Sequence, residues 1–142
     1  MNDPQISTEA GRRLKFVDFV FERHPNGGCC ALVSLEDPEG RPHVATHEGV
    51  GGAPSELRCA ADATLEAVSC ALPQAGAFEL IGVKAIRAFD MTVIIVAISA
   101  RRGEQSQRLV GAYLADKSPE RGAALAVLNA TNRFLGNVIF AR

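Results

Sequence analysis

The chain lacks tryptophan and has one tyrosine and seven phenylalanines among its 142 residues. Aromatic platforms on which single-stranded nucleic acids stack are therefore scarce. Neither charge sign is in excess, because fifteen lysines and arginines stand against sixteen aspartates and glutamates, for a formal net charge of -1. A nucleic-acid-binding protein normally carries a basic surplus, so this class of function is not expected. A net charge near zero also leaves little repulsion between copies, which favours self-association.

No hydrophobic run is long enough to cross a membrane. The longest apolar stretch, Met91 to Ala100, is shorter than the roughly 20 residues that a transmembrane helix needs. Near the amino end, Asp18 interrupts the alternating run from Phe16 to Phe21, which excludes the apolar core of a secretory signal. The sequence therefore predicts a cytoplasmic protein without membrane contact.

The four cysteines are not spaced for a metal site or a disulfide framework. Cys29 and Cys30 are neighbours on a predicted strand and point to opposite faces, so a bridge between them is not expected. Cys59 and Cys70 would lie about 16 Å apart along a helix, which excludes a bridge there as well. We expect buried, reduced thiols, as is usual in the cytoplasm.

What the sequence does contain is a repeated series of strand and helix signals. The length fits one domain over residues 1–142, and a domain of this size buries roughly 68–70% of its unfolded surface. Alternating apolar residues between turn residues predict strands, and apolar residues at helical spacing predict helices. The predicted elements are strands at 16–22, 29–35 and 41–48, a helix at 55–72, strands at 78–87, 91–100 and 107–114, and a helix from 118 to about 135.

An offset of 63 residues superposes the two halves. It pairs turn residue Gly40 with Gly103, and strand residue Val33 with Val96. It also pairs Ala31 with Ile94, Leu35 with Ile98, Ala61 with Ala124, Leu65 with Leu128 and Leu72 with Leu135. The sequence therefore predicts an α+β fold made of a duplicated βββα unit, with sheets packed on helices and pseudo-two-fold symmetry. The two units span about residues 14–72 and 78–136.

Each predicted helix has one apolar face. The residues expected to be buried are Leu57, Ala60, Ala61, Leu65 and Val68 in the first helix and Ala124, Leu125, Leu128 and Leu135 in the second. Ser118, Pro119 and Glu120 suit the start of the second helix. Gly136 and Asn137 predict its end, which leaves the apolar segment 138–140 as a candidate contact surface.

Residues that support catalysis or metal binding are sparse. His43 and His47 share a predicted strand face but lie about 13 Å apart along it, too far to hold one metal ion. Cys59, near the start of a helix, is a candidate low-pKa thiol. Its apolar neighbours, among them Leu57 and Ala60, favour core packing instead. We therefore expect no enzymatic activity, no metal and no cofactor.

The segment Met91 to Ile98 is hydrophobic at both alternations. One helix covers only one face of a three-stranded sheet, so the other face needs a second cover. A second copy of the chain would supply it in a symmetric dimer. A two-sided core within one chain is the alternative.

Three segments of the repeat carry motifs of their own. The first is the Gly-rich run 48–54 (Glu-Gly-Val-Gly-Gly-Ala-Pro) before the first helix. The second is Leu109-Val110-Gly111 followed by Asp116, and the third is the run 126–135 (Ala-Val-Leu-Asn-Ala-Thr-Asn-Arg-Phe-Leu) in the last helix. With these segments, the doubled βββα pattern resembles the C-terminal regulatory and dimerisation domain of 2-isopropylmalate synthase and the related citramalate synthases. The resemblance covers about residues 14–136, and the catalytic barrel of those synthases has no counterpart here.

The resemblance implies a stand-alone, non-enzymatic homodimer that binds a small amino acid or keto acid and regulates a partner enzyme. The ligand-binding residues it implies lie at the two helix-opening loops and are Gly51, Gly52, Ala53, Pro54, Asp116 and Ser118. Glycines beside backbone N–H groups at a helix N-terminus also suit a carboxylate. Two alternatives stay open: these glycines only make a tight turn, or the chain is a self-assembling structural oligomer without a ligand.

Overall fold

Three strands and a helix occur twice in the same order. The computed structural model describes the backbone of residues 14–140 and the side chains of residues 14–135. The first unit contains β1 (Lys15–Arg23), β2 (Gly28–Glu36), β3 (Pro42–Val50) and α1 (Ala53–Ala71), and a short 3-10 turn, Pro73–Ala75, follows. The second contains β4 (Ala77–Ala88), β5 (Met91–Arg102), β6 (Gln105–Ala115) and α2 (Pro119–Phe140). The predicted α+β fold with a repeated βββα arrangement is confirmed.

Each unit forms its own antiparallel sheet, with the second strand in the centre. The strand orders are β1-β2-β3 and β4-β5-β6. The residue pairs that the 63-residue offset matches in the central strands are all fully buried: Ala31 and Ile94, Val33 and Val96, Leu35 and Ile98. The repeat in the sequence thus marks equivalent positions in the two sheets.

The first strand of each unit has a β-bulge at an equivalent place. The register shifts between Phe16 and Asp18 in β1 and between Leu80 and Gly82 in β4. Strict alternation predicts that Phe16 and Phe19 lie on opposite faces, and this is wrong. The extra residue at the bulge turns the following residues over, so Phe16, Phe19 and Phe21 all pack against the core.

Each helix packs on its own sheet, and the two helices pack against each other. α1 lies on β2 and β3 and also contacts β4, while α2 lies on β5 and β6 and reaches β1. All the predicted core residues of the helices are buried except Leu125, which is half-buried. Alanine is the commonest buried residue in both helices, and its small side chain lets helix and sheet backbones approach closely.

α2 lies closer to its sheet than α1 does. A Cβ built on Gly111 of β6 would collide with the carbonyl oxygen of Ala126 and would lie 2.8 Å from the Cβ of Ala130. The corresponding residue of the first sheet is Ala45 of β3, which pairs with Val33 as Gly111 pairs with Val96, and its Cβ is accommodated in the core. Elsewhere on β3, a Cβ built on Gly49 would lie 3.5 Å from the Cβ of Cys59, an ordinary contact. The repeat therefore conserves the arrangement of helix and sheet but not their spacing.

Two predicted boundaries are wrong. Only Gly51 and Gly52 of the expected loop 49–54 lie outside β3 and α1, since Ala53 and Pro54 already begin the helix. α2 does not end at Gly136 but continues to Phe140, so the segment 138–140 is part of the helix and not a separate tail. Glycine inside a helix costs only about 1 kcal/mol relative to alanine, which does not oblige the helix to end. The side chains of 136–140, and with them the predicted contact surface, lie outside the described residues.

The sheet faces that point away from the helices are not covered within residues 14–135. Val93 and Ile95 of β5 are half-buried there, and the flanking Ile86 and Leu114 are 40% and 46% exposed. Residues 14–135 therefore do not form the alternative arrangement, a core on both faces of each sheet within one chain. In the part of the chain with a described structure, no helix is long and apolar enough to cross a membrane.

Candidate functional site

The two helices begin side by side, and one side chain joins their first turns. Arg23, at the end of β1, places Nη2 3.0 Å from Oε1 of Glu56 in α1 and 3.3 Å from Oε2 of Glu120 in α2. Its guanidinium also lies 5.2 Å from the centre of the Phe21 ring. The two helix openings that the sequence marks as candidate sites are thus brought to the same end of the helix pair.

The opening of α1 is closed by backbone packing. The Gly51 N–H donates to the carbonyl oxygen of Gly27 at 2.6 Å, and a Cβ on Gly51 would lie 2.5 Å from that oxygen. Gly52 takes a φ of 115°, a conformation that favours glycine. The geometry of the turn therefore accounts for both glycines. Ala53 and Pro54 form the first helical positions, and Pro54 has no N–H to offer.

A carboxylate of the chain itself occupies the N-terminus of α1. Oε2 of Glu56 accepts the Gly52 N–H at 3.2 Å, and both carboxylate oxygens accept from Nε of Arg23 at 3.1 Å. Glu56 is 7% exposed. The hydrogen bond from Arg23, reinforced by the Gly52 N–H, holds the pKa of Glu56 below its usual range. The position at which a ligand carboxylate was expected is therefore filled.

The opening of α2 has a different arrangement. The Ser118 hydroxyl accepts the Arg121 N–H at 3.1 Å, as an N-cap does, and donates to Oε1 of Glu120 at 3.2 Å. Between the end of β6 and this first turn lies an open cleft of about 220 Å³. Asp116 and Ser118, both marked by the sequence, line this cleft.

Other residues of the cleft were missed by the sequence interpretation. Lys117 and Arg121 place two cations at the cleft, and the Tyr113 phenol stands at its β6 wall. The Arg121 guanidinium is held 4.9 Å over the Phe16 ring of β1. Ser118 and Arg121 are three residues apart, a helical spacing that by itself predicts that both lie on one surface. The contact of Arg121 with Phe16 of β1 depends on how the two units pack, which local spacing does not predict. Two cations beside one carboxylate, Asp116, suit a small molecule that carries a carboxylate and an amine.

Two further grooves run between strands and helices at related positions of the repeat. One, of about 380 Å³, lies among β3, α1 and β4, where His47 is 3.8 Å from carboxylate oxygens of both Asp62 and Glu66. The other, of about 480 Å³, lies between β6 and α2. There Asn129 donates to the Ala112 carbonyl at 2.9 Å and Arg133 to that of Val110 at 2.5 Å.

The two candidate histidines have separate partners. His43 Nε2 lies 2.9 Å from Oδ2 of Asp37 in the β2–β3 turn, whereas His47 faces α1. Asp37 is buried and also accepts N–H groups of Glu39 and Arg41. Over residues 14–135, the structure groups no three His, Cys, Asp or Glu side chains in a geometry that holds a metal ion.

The thiols are arranged for packing. Cys29 and Cys59 are buried, and Cys59 Sγ donates to the His47 carbonyl oxygen at 3.2 Å. Burial, together with the neighbouring Cys29, raises the pKa of Cys59 to about 12, so the suggestion of a lowered pKa is wrong. Cys70 is exposed, contrary to the expectation of buried thiols.

In comparisons with known proteins, no family model matches this sequence, and no curated protein matches it.

Proposed function

We propose that the chain is a non-enzymatic, dimerising regulatory module that binds a small amino acid or 2-keto acid in the cleft at the opening of α2. The observation that carries the proposal is the difference between the two helix openings. Glu56 fills the first, whereas the second combines a cleft of about 220 Å³ with Lys117 and Arg121. The resemblance to the regulatory domain of the isopropylmalate synthase family supports the same kind of ligand.

The cleft residues have distinct roles in this proposal. Lys117 and Arg121 pair with the ligand carboxylate, and Asp116 pairs with the ammonium group of an amino acid. Leu125 and the side-chain-free Gly122 form an apolar wall for a short side chain. A 2-keto acid uses only the cationic side, so Asp116 distinguishes the two ligand classes.

The proposed setting is the cytoplasm, where thiols such as the free Cys70 stay reduced. The partner is a second copy of the chain and, through it, an enzyme that the ligand regulates. The proposal includes no cofactor, no nucleic acid and no membrane.

A thermal-shift screen of amino acids and 2-keto acids tests the ligand site. A ligand that binds only the native state raises the melting temperature, and a concentration of 100 times Kd stabilises by about 2.7 kcal/mol. We expect at least one compound to raise the melting temperature and Lys117→Ala to abolish most of the rise. Arg87→Ala is the matched control, since Arg87 is an exposed cation of β4 outside the cleft. No rise at millimolar concentration, or an equal rise in Lys117→Ala, contradicts the proposal.

A self-assembling structural oligomer without a ligand is the second candidate function. The uncovered outer faces of the sheets favour it, because monomeric proteins rarely expose large apolar patches. Size-exclusion chromatography with light scattering separates the candidates. A dimer whose stability responds to ligand supports the regulatory module, whereas large assemblies indifferent to every compound support the structural oligomer.

A further inference from the structure

Each sheet has an outer face made of the side chains that alternate with the buried ones. In the first sheet, outer face 1 is centred on Cys30, Leu32 and Ser34, which alternate with the buried residues of β2. In the second sheet, outer face 2 is centred on Val93, Ile95 and Ala97 of β5. The inner faces hold the helices, so the outer faces point away from the helix pair.

Outer face 1 is acidic. The strand registers place four carboxylates on it and one lysine: Asp18, Glu22, Glu36, Glu48 and Lys15. Its apolar residues include Val20, Val44 and Val50, all exposed, beside the half-buried Leu32.

Outer face 2 is apolar in the centre and basic towards its edges. Exposed Ile86, Val110 and Leu114 flank the central residues of β5. The charged residues on this face are three cations and one carboxylate: Lys84, Arg101, Arg108 and Glu79. No ion pair among residues 14–135 involves the charged residues of either face.

We propose that outer face 2 of one chain packs on outer face 1 of a second copy. The apolar centre of face 2 then meets the apolar residues of face 1, and the basic residues meet the carboxylates. Pairing of either face with itself would bring like charges together, which opposes association. The chain, whose total charge is near zero, thus carries two faces of opposite net charge. The proposal rests on the self-association in the proposed function but not on its ligand.

A contact between unlike faces is heterologous. A closed dimer forms when faces 1 and 2 of one copy pack on faces 2 and 1 of the other. Otherwise the same contact repeats from copy to copy and builds a ring or an open filament. In every such assembly, each contact requires outer face 1 of one copy and outer face 2 of another.

Charge reversal on one face at a time tests the pairing by sedimentation or light scattering. Lys84→Glu with Arg108→Glu reverses face 2, and Glu22→Lys with Glu48→Lys reverses face 1. All four side chains are exposed, so the variants are expected to fold, which circular dichroism checks. We expect the wild type to associate, each double variant to weaken association about tenfold or more, and all four changes together to restore most of it.

Glu39→Lys with Glu104→Lys is the matched control. Both residues are exposed and lie in turns outside the two faces, so association should stay as in the wild type. A wild type that is monomeric at about 1 mM overturns the proposal. So does normal association of the face 1 variant, because face 2 would then pair with itself.

The thermal-shift screen on the same samples keeps this proposal separate from the ligand site. If association requires both faces but no compound binds, the ligand proposal fails alone. If a compound binds a wild type that remains monomeric, the pairing of the faces fails alone.

Discussion

The two units share a core and differ at the surfaces where ligands or partners would bind. Ala31, Val33 and Leu35 of the first unit and their counterparts in β5 are fully buried at matching positions. The helix openings diverge, since the first is closed by Glu56 and the second is an open cleft. The outer faces diverge in charge as well. The two units thus keep the same buried positions in their central strands, while the helix spacing, the helix openings and the outer faces differ.

The spacing between helix and sheet is the difference with the largest expected energetic effect. Gly111→Ala places a Cβ against the backbone of α2, and overpacking of this kind should lower the free energy of unfolding by about 3 kcal/mol. Gly49→Ala, where β3 contacts Cys59 of α1 at ordinary distance, should change it by less than about 1 kcal/mol. Urea unfolding of both variants measures the difference. Equal losses would show that the two helices are packed at similar spacing.

Acid should weaken the first unit before the second. Arg23 and the Gly52 N–H lower the pKa of Glu56, and His43 with backbone N–H groups lowers the pKa of Asp37. The unfolded chain therefore takes up these protons at a higher pH than the folded chain does. The contribution of these two carboxylates to the free energy of unfolding is complete above the usual carboxyl pKa. It is lost as the pH falls through the lower pKa that each carboxyl has in the folded state.

Urea unfolding between about pH 6 and pH 2 measures this effect. Glu56→Gln should be less stable than the wild type at neutral pH and should lose less stability on acidification. Glu120→Gln is the matched variant, because Glu120 meets Arg23 only through one contact of 3.3 Å, and its effect at neutral pH should be smaller. A wild-type pH profile in Glu56→Gln would contradict the role of the Arg23–Glu56 pair.

The smallest expected effect is at the β4–β5 turn. Phe89 and Asp90 have φ angles of 56° and 59°, and Phe89 is 94% exposed. A two-residue hairpin turn with two positive φ angles favours Asn-Gly, because these residues adopt the left-handed conformation at little cost. Phe89→Asn with Asp90→Gly should therefore raise the free energy of unfolding by about 0.5–1 kcal/mol. A loss of stability would indicate that Phe89 makes a contact that the turn geometry does not reveal.

The sequence predicts the fold well because both units follow local rules. Alternation and turn residues locate all six strands, and the 63-residue offset identifies matching core positions such as Val33 and Val96. The bulge at β1 is missed, since strict alternation has no place for an extra residue. The helix end at Gly136 is also missed, because glycine permits a helix to end without obliging it to do so.

The sequence predicts only some residues of the candidate site, because the others are placed by tertiary contacts. The sequence predicts a carboxylate-binding loop at Gly51 and Gly52. The close contact with the Gly27 carbonyl, which leaves no room for a Cβ, explains why residue 51 is a glycine. Glu56 suits the first turn of a helix by propensity, but its partner Arg23 comes from a distant strand. Asp116 and Ser118 do line the cleft, while the neighbouring Arg121 is positioned by Phe16 of the other unit. Contacts between units cannot be read from local patterns.

Nuclear magnetic resonance of the 15N-labelled chain tests the central claim, that the openings of α1 and α2 have different functions. The probe is the amino acid or 2-keto acid that raises the melting temperature most. We expect the amide shift changes to concentrate at residues 113–122 and to be small at 49–56. Changes centred on 49–56, or no changes at millimolar concentration, would contradict it.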